Sequence, residues 1–286
     1  MVDKDSNLDA LIGASRSSVF TVASGKGGVG KTTTSINLGA ALANRERSTI
    51  VVEADMSMAN LIDFLQLDVE FEHGDPNLHT VLAGEHEIGS AIYEAPGGLD
   101  ALPSGTDLET YTRADSSGLH RVVEWLREHY EVIIIDTRGG VGKDTLIPLS
   151  LADRVLVISS PRVASVRDTK KTVELTGRVN DSMTGVIFTR SGTGSAPPVA
   201  EIADFIGVEL LGHVPDDEII PVSQDAGVPI INYHHEAAAA EAYEDITNRI
   251  ESWIEEIHES RGFEFDQSSD KTREGVLTDG SGDNAT

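Results

Sequence analysis

The 286-residue sequence predicts an α/β fold, a doubly wound and mainly parallel sheet with helices on both faces. Three observations predict it. Near-continuous Val/Ile runs recur along the chain, as in strands buried on both faces. Stretches with helical spacing separate them, so each pair of runs reads as a right-handed crossover unit. A glycine-rich loop stands between the first run and the first helix, the place where such sheets bind ligands.

The elements follow in order. Ser18–Ala23 is an apolar strand that ends in the glycines, and Lys31–Asn44 reads as the first helix. Thr49–Glu53 is a second buried strand, and Leu99–Leu102 a weaker one. Leu119–His129 has helical spacing and leads into the strand Glu131–Asp136. Arg154–Ser159, Gly185–Thr189 and Glu209–Val214 complete the strands. A last helix is expected from about Glu236, because Ile246, Ile250, Trp253, Ile254 and Ile257 form one apolar stripe. After Gly262 the chain turns polar. The expected organisation is a flexible arm over 1–16, one folded domain over 17–260, and an acidic disordered tail over 261–286.

Composition narrows the function. The chain has no cysteine, which excludes disulfides, Cys-ligated zinc and Cys-ligated iron–sulfur clusters. No apolar run approaches the roughly 18 residues of a membrane span, and no signal peptide is visible, so a cytoplasmic location is expected. Lys plus Arg number 22 against 48 Asp plus Glu, a formal charge of −26 spread along the whole chain. That balance suits molar salt, where the Debye length falls to about 3 Å and self-repulsion is screened. It gives no strong nucleic-acid signal.

Gly25 to Thr32 spells G-x-x-x-x-G-K-T between a strand and a helix. Such a loop turns backbone N–H groups inward around phosphate oxygens. Gly25, Gly27, Gly28, Val29 and Gly30 supply the loop, and Lys31 the charge for the β and γ phosphates. Thr32 carries the hydroxyl for Mg²⁺, and Thr33 continues into the helix. The expected cofactors are ATP and Mg²⁺.

A second lysine, Lys26, lies just inside the first glycine, giving K-G-G-x-G-K-T-T. With this deviant Walker A loop the chain resembles the ParA/MinD family of dimerising ATPases. Glu53-Ala54-Asp55 is similar to the family's switch I, and Ile133–Gly140 sits where Walker B and switch II stand. Gly97–Asp100, Leu102–Gly105, Gly212–Asp217 and Gly227–Pro229 also look like MinD, from Val19 to Trp253 overall. Together with the acidity, this points to a MinD-like P-loop protein of a halophilic archaeon.

The resemblance implies roles. Lys26 would reach the partner's nucleotide across an ATP-dependent homodimer, and Asp55 would position the attacking water. Asp136 would hold Mg²⁺ with Thr32, and Glu53, where the family has Asp, would stand behind the metal. The Gly140 N–H would meet the γ phosphate. Thr189 and Arg190, with Pro215 and Asp216, would border the base. The implied function is a molecular switch for intracellular positioning of division, motility or chemosensory assemblies or other cargo, with slow, partner-stimulated hydrolysis. The C-terminal stripe is flanked by glutamates, not by the basic residues of a membrane-targeting helix, so recruitment to membrane or poles would pass through a protein partner. One departure stands out: Thr137-Arg138-Gly139-Gly140 replaces the family's x-Pro-Pro-Gly or x-Pro-Ala-Gly. Losing proline predicts a looser switch II, and leaves open a nucleotide-binding scaffold with little or no hydrolysis.

Overall fold

The computed structural model describes residues 16–56, 59–67, 75–140, 142–180, 182–192 and 197–276, with backbone alone at 143, 144, 183 and 262–276. Its strands are β1 (Ser18–Ala23), β2 (Thr49–Glu53), β3 (Tyr93–Glu94), β4 (Asp100–Leu102), β5 (Val132–Asp136), β6 (Arg154–Ser159), β7 (Met183–Ser191) and β8 (Glu209–Pro215). They form one sheet in the order β3-β4-β2-β5-β1-β6-β7-β8. Every pairing is parallel except β3 with β4. The strand β3 escapes sequence reading because two residues carry no periodicity.

β1 lies at the centre, paired with β5 on one side and β6 on the other. The chain builds the sheet outward in one direction through β2, then crosses to the other side at β6. That reversal opens a crevice at the carboxyl ends of β1, β5 and β6. Every residue of β1, β2 and β5 is buried, so alternate side chains feed opposite faces. Phe20, Val22, Val51 and Ile134 join the helix α1 (Lys31–Ala43) and the last helix in one cluster. Val19, Ile50, Ile133 and Ile135 face Leu119, Val122 and Leu126 on the other side.

The last helix spans Ala238–Val276, and its Ile246, Ile250, Trp253, Ile254 and Ile257 are all buried. It runs unbroken through Gly262, where the composition predicts order to end. Once the stripe anchors the stem, each further residue needs only propagation, and one glycine costs about 1 kcal/mol. The expected arm lies outside the described residues up to residue 15, and so does the tail from 277. No helix among the described residues is long and apolar enough to cross a membrane.

Candidate functional site

The glycine-rich loop leaves buried β1 and enters α1 at the crevice. Gly30 takes the N-cap position at φ 91°, a left-handed conformation that side chains disfavour, and no side chain caps the helix. The first-turn N–H groups of α1 are therefore open to an anion.

These residues border a cavity of about 550 Å³. Gly27, Gly28, Gly30, Lys31, Thr32 and Thr33 line it from the loop, Asp55 from the end of β2, and Thr137, Arg138 and Gly139 from the end of β5. The Lys31 ammonium is buried, and desolvation lowers its pKa against the pull of Asp136 and Asp55. A buried, partly compensated lysine gains most from a phosphate.

Thr32 and Asp136 meet at the floor. The Thr32 hydroxyl donates to Asp136 Oδ2 at 2.5 Å. Asp136 Oδ1 is buried with no hydrogen-bond partner among the described residues. Burial pushes this carboxyl up to about 6, opposed by the Thr32 bond and Lys31. An unpartnered buried carboxylate oxygen beside a hydroxyl is an all-oxygen donor set, which fits a hard cation such as Mg²⁺.

Gly25, Lys26, Glu53 and Gly140 are not among the residues that line the cavity. Lys26 does not line the cavity; its Nζ lies 3.1 Å from Asp168 Oδ2 on the helix Val163–Val179. That helix comes so close that a Cβ on Gly25 would sit 2.6 Å from Asp168 Cβ. Glu53 stands beside Asp136 in the register of β2 with β5, and its own oxygens are taken up by backbone N–H groups and a hydroxyl. Its Oε1 accepts the Asn60 N–H at 2.5 Å and the Leu61 N–H at 3.3 Å, and its Oε2 accepts the Ser104 N–H and hydroxyl, both at 3.1 Å. Complete burial pushes this carboxyl up to about 8, and those bonds oppose the rise. Glu53 thus ties the segment after Asp55 to the loop after β4. Gly140 directs its N–H away from the cavity, donating to the Ser24 carbonyl at 2.9 Å.

The segment after β5 is hydrogen-bonded back to β1. The Thr137 N–H and hydroxyl both donate to the Val22 carbonyl, at 3.2 and 2.8 Å. Gly139 lies against the phosphate loop, where an added Cβ would come 2.6 Å from Gly27 N.

A smaller recess of about 160 Å³ adjoins the cavity and shares Gly30, Thr33, Arg190 and Gln224 with it. Val29, Thr189, Pro215 and Asp216 line this recess. The Thr189 hydroxyl donates to the Val29 carbonyl at 2.6 Å, clasping the loop to β7. Arg190 holds φ at 52°. Gln224, which no motif marks, donates its Nε2 to the Thr33 hydroxyl at 2.7 Å. A separate, mostly apolar groove of about 400 Å³, lined by Val163, Val166, Ile202 and Phe205, holds none of the expected residues.

A family model described as an AAA domain matches residues 17–186. An uncharacterized ATP-binding protein of Methanocaldococcus jannaschii is 36% identical, over 81% of this chain and 86% of that protein. The septum site-determining protein MinD of Pyrococcus horikoshii, solved with Mg-ADP, superposes with a TM-score of 0.76 at 28% identity, covering 82% of this chain and 96% of that one. MinD in a MinC:MinD cell division complex of Aquifex aeolicus gives a TM-score of 0.73 at 26% identity, with coverage of 82% and 96%.

Proposed function

The chain belongs to the ParA/MinD family of P-loop ATPases, and from that premise we propose that it is a Mg²⁺-dependent ATP hydrolase and dimerising switch. One observation carries the reading: Lys31, the Thr32–Asp136 pair and Asp55 converge on one cavity at the switch point of the sheet.

In this reading the open N–H groups of the loop and Lys31 hold the β and γ phosphates. Thr32 and Asp136 hold Mg²⁺, which neutralises charge on the phosphates. Asp55 orients the water that attacks the γ phosphorus, and the bond to the ADP oxygen breaks. Lys26 leaves Asp168 and reaches the partner's nucleotide in an ATP-bound homodimer. Its present ion pair is 42% exposed on the lysine side, and such surface pairs are worth at most about 1 kcal/mol, so a triphosphate competes for it readily. The dimer recruits a protein partner or cargo and hydrolysis releases it, as befits an intracellular positioning role; the MinC:MinD complex of the Aquifex relative supports a partner of this kind. The charge of −26 suits a halophilic cytoplasm.

A second reading, a nucleotide-held scaffold with little turnover, draws on Gly140, whose N–H is already bonded to Ser24. The deciding experiment measures ATP turnover in multi-molar KCl, with light scattering under ATP, ADP and no nucleotide. Turnover with an ATP-dependent dimer supports the switch, and tight binding without turnover supports the scaffold. Lys26→Ala is expected to keep ATP binding and lose dimer-dependent turnover; an unchanged rate would overturn its role across the dimer.

A further inference from the structure

Arg138 is an exposed cation on the wall of the phosphate cavity, beside Gly27, Lys31 and Asp55. Its backbone is held from both sides. Thr137 is tied to Val22, Gly140 to Ser24, and Gly139 has no room for a Cβ against Gly27. The Cα of Arg138 therefore sits within one residue of direct contact with the phosphate loop. From that point a guanidinium on a long stem reaches the phosphate end of the cavity.

The charge balance of that end leaves a place for it. Two carboxylates, Asp55 and Asp136, act on Lys31 there, and Lys26 is engaged with Asp168. Arg45, Arg127, Arg154 and Arg261 each pair with a carboxylate, whereas the guanidinium of Arg138 has no such pair among the described residues. A planar guanidinium offers a bidentate fork to phosphate oxygens, which neither lysine nor proline can.

We propose that Arg138 binds the γ phosphate of its own chain's nucleotide and so makes the site prefer ATP over ADP. The proposal rests on the nucleotide reading above and adds a specificity-determining residue to it. The γ phosphate is the one group that distinguishes the two ligands, so a contact confined to it moves their affinity ratio. Arg138 would also stabilise charge on the transferring phosphoryl group from within the protomer, while Lys26 acts from the partner.

The test is equilibrium binding of Mg·ATPγS and Mg·ADP to the full chain by calorimetry in multi-molar KCl. Arg138→Ala is expected to weaken ATPγS roughly ten- to a hundredfold and ADP less than about threefold, the scale of one charge-assisted bond. Arg138→Lys should recover part of the loss, since it keeps the charge and loses the fork. Lys31→Ala, measured alongside, weakens both ligands. Equal losses of ATPγS and ADP in Arg138→Ala, or no loss, would overturn the assignment and leave the nucleotide reading intact. A wild-type chain that binds neither ligand would remove both. The side chain is exposed, so circular dichroism should show an unchanged fold in each variant.

Discussion

The cavity at the glycine-rich loop and the recess beside it are built by opposite means. The cavity wall at the loop comes largely from one contiguous stretch, Gly27–Thr33, with backbone N–H groups and a helix terminus. The recess, proposed to take the base, comes from four places in the chain: Val29 in the loop, Thr189 and Arg190 at the end of β7, Pro215 and Asp216 at the end of β8, and Gln224 on the helix Ile219–Asp225. The first needs only local geometry. The second exists because β6, β7 and β8 stack in order beside β1. The loop wall is therefore carried by a short motif, while the recess is a product of the whole sheet.

The sharpest way to break this contrast is Lys31→Ala. If the phosphate end supplies most of the affinity, losing its buried ammonium should weaken ATP and ADP alike by roughly a hundredfold or more. Calorimetry reads this directly. A loss below about tenfold would mean that the base end dominates and that the contrast is drawn the wrong way round.

Gly139→Ala comes next. The added methyl would lie 2.6 Å from Gly27 N and 2.8 Å from Gly27 Cα, so backbone must shift. Overpacking of this kind costs about 1–3 kcal/mol, and here the strain falls on the loop that holds the phosphates. Thermal unfolding should show a lower midpoint, and ATP affinity should fall with it. Gly142→Ala is the matched control, since nothing lies within 4 Å of its Cβ position. Equal behaviour of the two variants would show that the segment after β5 does not bear on the glycine-rich loop.

The same contrast explains what could be read from the sequence. The loop, the strand before it and the helix after it are contiguous, so their spacing alone predicts them. Asp136 is legible because an acid ends a strand of otherwise apolar residues. Glu53 is legible as an acid at a strand end beside Asp136, but the sequence does not show that Asn60 and Ser104 bring N–H groups to it. Lys26 is legible as a motif, while its contact with Asp168 depends on where a later helix crosses the loop. Gln224 gives no signal, because a lone glutamine in a short helix becomes part of the site only when that helix docks on α1. The helix past Gly262 shows that polar composition does not stop a helix already anchored by Ile246, Ile250 and Trp253.

The smallest effect tests the base end itself. Gln224→Ala removes the Nε2 donor from the Thr33 hydroxyl, a bond of 2.7 Å that joins the recess to the first turn of α1. One neutral hydrogen bond contributes about 0.5–1.5 kcal/mol, so ATP affinity should fall roughly two- to tenfold. ADP should fall by the same factor if, as proposed, the recess takes the base. That equality separates Gln224 from Arg138, whose loss is expected to fall mainly on ATP. A double-mutant cycle with Thr33→Val isolates the bond. The two single losses should exceed the loss in the double variant when added, because they remove the same interaction. Strict additivity would show that the two residues act on the nucleotide independently, and that the base recess is not braced against the phosphate loop through this contact.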